Sequence, residues 1–270
     1  MEEHYFKSRG IAYRINTFLP GRKTILFVHG LSGSLSAWYP YEKIFEEKYN
    51  LITFDLRGHG RSVRPRRRGY SMPEFVEDIR ALLEYLKVEH CSIVSHSFGT
   101  LIAMEFTRAY PQTVGRNVFL APAYGVHHFK ISKFLANLGA ALAMAPLRVR
   151  AYGRTDYARF YPTPDYSVSR IGTDILNMGL RSYLRSLRVV FDRDYSAGWV
   201  ALTAPALVVH GADDSIVPVE HARALAKILT NSTLVELPKA NHILVLNNID
   251  EVADEIEKFV GQKRHENCFL

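Results

Sequence analysis

The chain has 270 residues, 47% of them hydrophobic and 23% charged, with a formal net charge of +7 and two cysteines. That length suits one large α/β domain with room for an inserted subdomain, and two cysteines supply no disulfide framework. No apolar run approaches the roughly 18 residues that span a bilayer. Much of the positive charge lies in two clusters, Arg61 to Arg68 and Lys130 to Arg159, with no nucleic-acid motif beside them.

The start, Met1-Glu2-Glu3-His4-Tyr5, lacks the basic region and apolar run of a signal peptide. Cys268 stands third from the end, whereas a prenylation box needs the cysteine fourth from the end. Cys91 opens a predicted buried strand and Cys268 lies in a polar tail, so no disulfide is expected and a reducing cytoplasm is the expected setting. Residues 10–18 read as one or two edge strands. Thr24-Ile25-Leu26-Phe27-Val28 is a continuous apolar run, hence a buried strand, and it ends in the loop His29-Gly30-Leu31-Ser32-Gly33 before a helix from about Ser36. Leu51-Ile52-Thr53-Phe54 is the next buried strand and closes on Asp55-Leu56-Arg57-Gly58-His59-Gly60-Arg61-Ser62.

Ser71-Met72-Pro73-Glu74 has the form of a capping box with proline in the first turn, and Phe75, Ile79, Leu82, Leu83 and Leu86 keep helical spacing after it. Ile93-Val94-Ser95-His96-Ser97-Phe98-Gly99 then reads as strand, sharp turn and helix, with Ser97 on the turn. Asn117-Val118-Phe119-Leu120 is a further short strand. Apolar strands alternating with helices predict a mostly parallel central sheet with helices on both faces. From Ala123 to Trp199 the alternation stops in favour of helical stretches and the proline-rich loop Tyr161-Pro162-Thr163-Pro164. Pro205 to Val209 restores it, followed by a helix over 219–229, a strand near 233–237 and a closing helix over 250–260. The expectation is a core of residues 1–122 and 200–270 with a helical cap of 123–199, seated over the carboxyl ends of the strands where open α/β sheets bind ligands.

A serine hydroxyl is barely ionised at neutral pH, so it needs a base, and the base needs an orienting carboxylate on the same rim. Leu207-Val208-Val209 leads into His210-Gly211-Ala212-Asp213-Asp214, which places an acid on the loop leaving that strand. Leu234-Val235-Glu236-Leu237 leads to Pro238-Lys239-Ala240-Asn241-His242, which places a histidine on the last loop. The candidate catalytic residues in chain order are Ser97, Asp214 and His242.

Five segments now resemble the α/β-hydrolase superfamily in register. They are His29-Gly30, Asp55-x-Arg57-Gly58-x-Gly60-x-Ser62, the turn Ser95-x-Ser97-x-Gly99, Gly211-x-x-Asp214-x-x-Val217-Pro218 and Asn241-His242. The turn departs from the commoner G-x-S-x-G in having Ser95, a residue small enough for the position. The resemblance implies the α/β-hydrolase fold with an inserted helical cap, and an oxyanion hole formed by the backbone N–H groups of Leu31 and Phe98. It implies a serine hydrolase of carboxylic esters, lipid-like and monoacylglycerol-like esters included, acting through an acyl-enzyme on Ser97. Carbon–carbon bond or lactone hydrolysis by the same triad, and a hydrolase-fold ligand-binding receptor, are the alternatives. Serine at the elbow argues against the haloalkane and epoxide relatives, which carry aspartate there, and His29-Gly30-Leu31-Ser32-Gly33 is not the His-Gly-Gly-Pro loop of peptidase relatives.

Asp213 is a second candidate for the acid, although the family spacing selects the carboxylate three residues after the glycine. His96 reads as structural or pocket-lining, His29 and His59 as braces of their glycine loops, and Asp55 and Arg57 as loop-holding residues. His127-His128 has no further ligand at metal spacing, so neither a metal nor a cofactor is expected. The uncharged run Phe134 to Leu147, flanked by Lys130, Lys133, Arg148 and Arg150, reads as a buried cap helix. The sharper alternative is an apolar lid over an acyl pocket, making peripheral contact with anionic lipid. The expected partner is a small-molecule ester, not nucleic acid.

Overall fold

The computed structural model describes residues 1–66, 69–125, 153–191 and 202–262. Eight strands form one sheet: β1 (Glu2–Phe6), β2 (Ile11–Ile15), β3 (Thr24–Val28), β4 (Asn50–Phe54), β5 (Cys91–His96), β6 (Val114–Leu120), β7 (Ala206–Gly211) and β8 (Ser232–Leu237). Their spatial order is β1-β2-β4-β3-β5-β6-β7-β8. Pairing is parallel from β4 through β8, and antiparallel for β1 with β2 and β2 with β4.

Strand periodicity explains the layering. Successive side chains of a strand point to opposite faces, so Ile25 and Phe27 enter one core while Leu26 and Val28 enter the other. In β7, Leu207 and Val209 likewise part from Ala206 and Val208. Eight helices are described: α1 (Tyr39–Phe45), α2 (Met72–Tyr85), α3 (Phe98–Ala109), α4 (Val168–Met178), α5 (Leu180–Phe191), α6 (Val219–Ile228), α7 (Leu244–Asn247) and α8 (Ile249–Gly261). Tyr41 and Phe45 of α1 and Val252, Ile256 and Val260 of α8 cover one face of the sheet. Phe75, Ile79 and Leu82 of α2, Leu101 of α3 and Leu225 of α6 cover the other. No helix among the described residues is long and apolar enough to cross a membrane.

Two local expectations change. The edge is a hairpin in which β1 flanks β2; its exposed Glu2 and Glu3 give it no apolar signature. The helix predicted from Ser71 does begin there, but Ser71 makes no side-chain cap. Glu74 does not reach back to Ser71; its carboxylate lies 2.7 Å from Arg57 and 3.2 Å from Arg9. Two guanidinium groups offer charge-assisted hydrogen bonds, which are roughly twice as strong as neutral ones.

Between β6 and β7 the described residues hold a 3₁₀ turn (Tyr157–Phe160), α4 and α5, and no strand. This insertion is fastened to the core by polar contacts. Arg64 donates to the last carbonyls of α4, at Asn177 and Met178, both at 3.0 Å. Arg154 pairs with buried Asp55 at 2.8 Å, and Tyr70 meets Ser182 at 2.8 Å. His127-His128, the run Phe134 to Leu147 and Cys268 lie outside the described residues.

Candidate active site

β5 passes directly into α3 through Ser97, whose φ of 49° and ψ of −117° lie where L-residues other than glycine are strained. The turn raises the hydroxyl above the end of the sheet. Its closeness requires Gly99: a Cβ there would stand 2.6 Å from the carbonyl oxygens of Val28 and His29. Ser95 faces no such limit, since it is buried in the strand and its hydroxyl donates to the Val118 carbonyl at 3.2 Å.

The three candidates from separate loops meet. His242 Nδ1 lies 2.7 Å from Asp214 Oδ2, and His242 Nε2 lies 2.8 Å from Ser97 Oγ. Nδ1 donates to the carboxylate, so Nε2 carries a lone pair and accepts the Ser97 hydroxyl proton. Asp214 is held in turn. Its Oδ1 accepts from the backbone N–H groups of Ile216 at 2.9 Å and Val217 at 2.8 Å. His210 Nε2 donates to the Val217 carbonyl at 2.8 Å and lies 3.2 Å from Asp214 Oδ2. Burial works against a charged Asp214, but the hydrogen bonds from His210, His242 and the Val217 N–H outweigh it and hold its pKa well below the ordinary carboxylate range. Asp213 is exposed, and the carboxylate that His242 meets is that of Asp214.

The turn Gly30–Gly33 is closed by the Gly33 N–H on the Gly30 carbonyl at 3.2 Å, with Ser32 at positive φ. Leu31 lies on this turn and Phe98 at the first position of α3. Among the described residues neither N–H serves another backbone bond outside a helix or strand. His29 braces the loop: its Nε2 accepts the Leu56 N–H at 3.0 Å and its Nδ1 donates to the Gly30 carbonyl at 2.8 Å. His59 Nδ1 meets the Arg57 carbonyl at 2.9 Å, and Arg57 grips Asp78 through two 2.6 Å bonds. Asp55 accepts from Leu35 N, Arg61 N and Arg154. These residues hold loops, as their types and positions predict.

His96 lines the cavity beside Ser97 and donates from Nε2 to the His242 carbonyl at 2.9 Å. Burial, aided by His242, pushes its pKa down to about 3, so the ring is neutral. Cys91 is buried and free, with its pKa pushed up to about 12, so it is no competing nucleophile. Among the described residues no His, Cys, Asp and Glu group has the geometry of a metal site. The cavity at Ser97 and His242 measures about 260 Å³ and is lined by core residues such as Trp38 and Leu246 and by Tyr157, Asp165 and Arg170 of the insertion. Sequence spacing identifies none of those last three, because the insertion's segments acquire neighbours only on folding.

A sheet of this order, with a serine on a positive-φ strand–helix turn, is the architecture of the α/β hydrolases. The chain belongs to the alpha/beta hydrolase fold family, whose profile it matches over residues 23–249. It is 24% identical over 244 residues to a Klebsiella pneumoniae protein named "Putative carbamate hydrolase RutD", covering 86% of this chain and 88% of the relative. Among solved structures it resembles an enol-lactonase from Burkholderia xenovorans LB400, with a TM-score of 0.74 and 22% identity over 93% of this chain and 96% of the other. It also resembles a thermophilic esterase from Thermogutta terrifontis, with a TM-score of 0.76 and 21% identity over 93% of each chain. At these identities the structural likenesses establish the fold.

Proposed function

We propose that the protein is a serine hydrolase of small carboxylic esters, and that Ser97, His242 and Asp214 are its catalytic residues. The observation that carries this reading is the unbroken hydrogen-bond chain from Asp214 through His242 to Ser97, opening on a cavity. Ser97 Oγ attacks the ester carbonyl carbon while its proton passes to His242 Nε2. The carbonyl oxygen becomes an oxyanion that accepts the N–H groups of Leu31 and Phe98. Such donors each contribute about 10²–10³ in rate. Collapse breaks the bond to the alkoxy oxygen, which leaves as the alcohol with the proton from His242. Water then attacks the acyl-enzyme with His242 as base, and the carboxylic acid departs. Asp214 fixes the imidazole and stabilises its cation.

The cavity falls below the roughly 300–1,000 Å³ of sites for drug-sized ligands, which favours short acyl groups over lipid-like chains. The carbamate hydrolase and enol-lactonase relatives bring carbamates and cyclic esters into the substrate panel, since both offer the same carbonyl to the serine. The buried free thiol of Cys91 suits a reducing cytoplasm.

The test is hydrolysis of p-nitrophenyl esters of graded acyl length by the wild type and Ser97→Ala. The expected result is an optimum at short chains and a loss of about 10⁶ in kcat in the variant. Covalent labelling by a fluorophosphonate without ester turnover would move the reading to lactones, carbamates or carbon–carbon bonds. Neither labelling nor turnover would overturn it in favour of a binding protein.

A further inference from the structure

Asp165 belongs to the insertion, 77 residues before His242 in sequence, yet it is buried against both loops that carry the histidine and the acid. Its Oδ1 accepts the backbone N–H of His242 at 2.9 Å. Its Oδ2 accepts both the backbone N–H of Ser215 at 2.9 Å and the Ser215 hydroxyl at 2.7 Å. Ser215 directly follows Asp214. One carboxylate therefore ties the residue after the acid to the residue that is the base, with three hydrogen bonds and both oxygens used.

The segment carrying Asp165 is itself locked to the histidine loop. The Thr163 carbonyl accepts from Asn241 at 3.0 Å and from Asn247 at 2.8 Å, and the Thr163 N–H donates to Asn247 Oδ1 at 2.9 Å. From the other side, Arg170 of α4 donates to Thr163 Oγ1 at 3.2 Å and to the Asp165 carbonyl at 3.1 Å. Arg170 is anchored on Asp174 at 3.1 Å. The chain of contacts thus runs from helix α4 through Thr163 and Asp165 to the two catalytic loops.

We infer that Asp165 is a positioning residue of the catalytic site, lent by the insertion, which sets the separation of Asp214 and His242 and so makes seating of the insertion a condition for an aligned triad. The inference rests on the reading of Ser97, His242 and Asp214 as acyl-transfer machinery. Asp165 forms no bond to the reacting atoms. It acts through the backbone of His242 and through Ser215, and a misplacement of about 1 Å in such a site costs about 10²-fold in rate. Water cannot replace it without two mobile ligands taking the place of one fixed carboxylate.

The test uses the full chain with Asp165→Ala and the near-isosteric Asp165→Asn. Asparagine keeps one carbonyl oxygen for the His242 N–H but turns an NH₂ group toward the Ser215 N–H, so it preserves half of the tie. Two readouts are needed. The first is the fluorophosphonate labelling rate with kcat and KM on the preferred ester. The second is the downfield proton resonance of His242 Nδ1–H, assigned by its loss in His242→Ala, which reports the His–Asp bond without any turnover. The expected result is a fall in labelling rate and kcat on the order of 10²-fold in Asp165→Ala and a smaller fall in Asp165→Asn, with KM moving far less. The His242 proton signal shifts or broadens in both. Ser215→Ala, which removes one of the three hydrogen bonds and leaves the two to backbone N–H groups, shows a smaller fall than Asp165→Ala in the same readouts. A cooperatively folded Asp165→Asn with unchanged labelling and an unchanged His242 signal would overturn the inference. If the wild type neither labels nor turns over esters, the proposed function fails, and the His242 signal alone still decides whether Asp165 holds the pair.

Discussion

At Ser97 the hydroxyl, the strained backbone and the lone pair of His242 Nε2 are three consequences of one placement, and each depends on a residue far away in sequence. The acid shows this most sharply. Asp213 and Asp214 are adjacent and chemically identical, but only Asp214 is turned inward, where two backbone N–H groups and two histidines receive it. Asp214→Asn removes the charge that orients the imidazole and is expected to lower kcat by about 10⁴. Asp213→Asn changes an exposed group and is expected to leave stability within about 0.5 kcal/mol and activity unaltered. Steady-state kinetics on the two purified variants check this; equal losses would mean that the acid had been misassigned.

At the scale of the element, the strand–turn–helix around Ser97 works because backbone is allowed to approach backbone at Gly99. Gly99→Ala places a methyl 2.6 Å from two carbonyl oxygens that belong to β3 and its loop, neither of them the free end of a flexible side chain. Overpacking of this kind costs about 1–3 kcal/mol. The expected outcome is a lower thermal midpoint together with lost activity, because β3 also leads into the loop that carries Leu31. Thermal unfolding followed by circular dichroism measures the first effect and ester hydrolysis the second. Ser95 is the contrasting case: the hydroxyl fits because it points to the Val118 carbonyl on β6. The capping box at Ser71 shows the limit of a local pattern, since Glu74 belongs to Arg9 and Arg57, which lie in the turn after β1 and the loop after β4.

At the scale of the molecule, three buried histidines govern the acid limit. His29, His59 and His96 are neutral in the fold, and burial lowers the pKa of each, that of His96 to about 3. The unfolded chain binds protons at these rings near pH 6.5. Between about pH 6.5 and the lowered native values the unfolded state therefore holds more protons, so stability is highest above that window and is lost as pH falls through it. Asp214, whose native pKa is depressed, adds stability that is complete above about pH 4 and is lost only at still lower pH. Urea unfolding of the wild type at pH 7 and pH 5 should show a clear loss of stability, and His96→Asn should reduce that difference. An equal difference in the two proteins would mean that His96 titrates alike in both states.

Local sequence carries the alternation of strands and helices, the serine between small residues, the order of serine, acid and histidine, and the glycines that close turns. These features are legible because they are written in neighbouring residues: a continuous apolar run in Ile25 to Val28, a helical spacing from Phe75 to Leu86, a small residue two positions from Ser97. Folding alone reveals that Asp214, the carboxylate the spacing selects, faces His242 while Asp213 faces solvent, where Glu74 turns, and that Asp165 bridges Ser215 and His242. Those outcomes depend on contacts between residues tens of positions apart, whose distances follow from how the sheet is ordered and how the insertion is seated. Hydrogen bonding to a backbone N–H leaves no mark on the side chain that owns that N–H, so a carboxylate that acts in this way is invisible until the chain is folded.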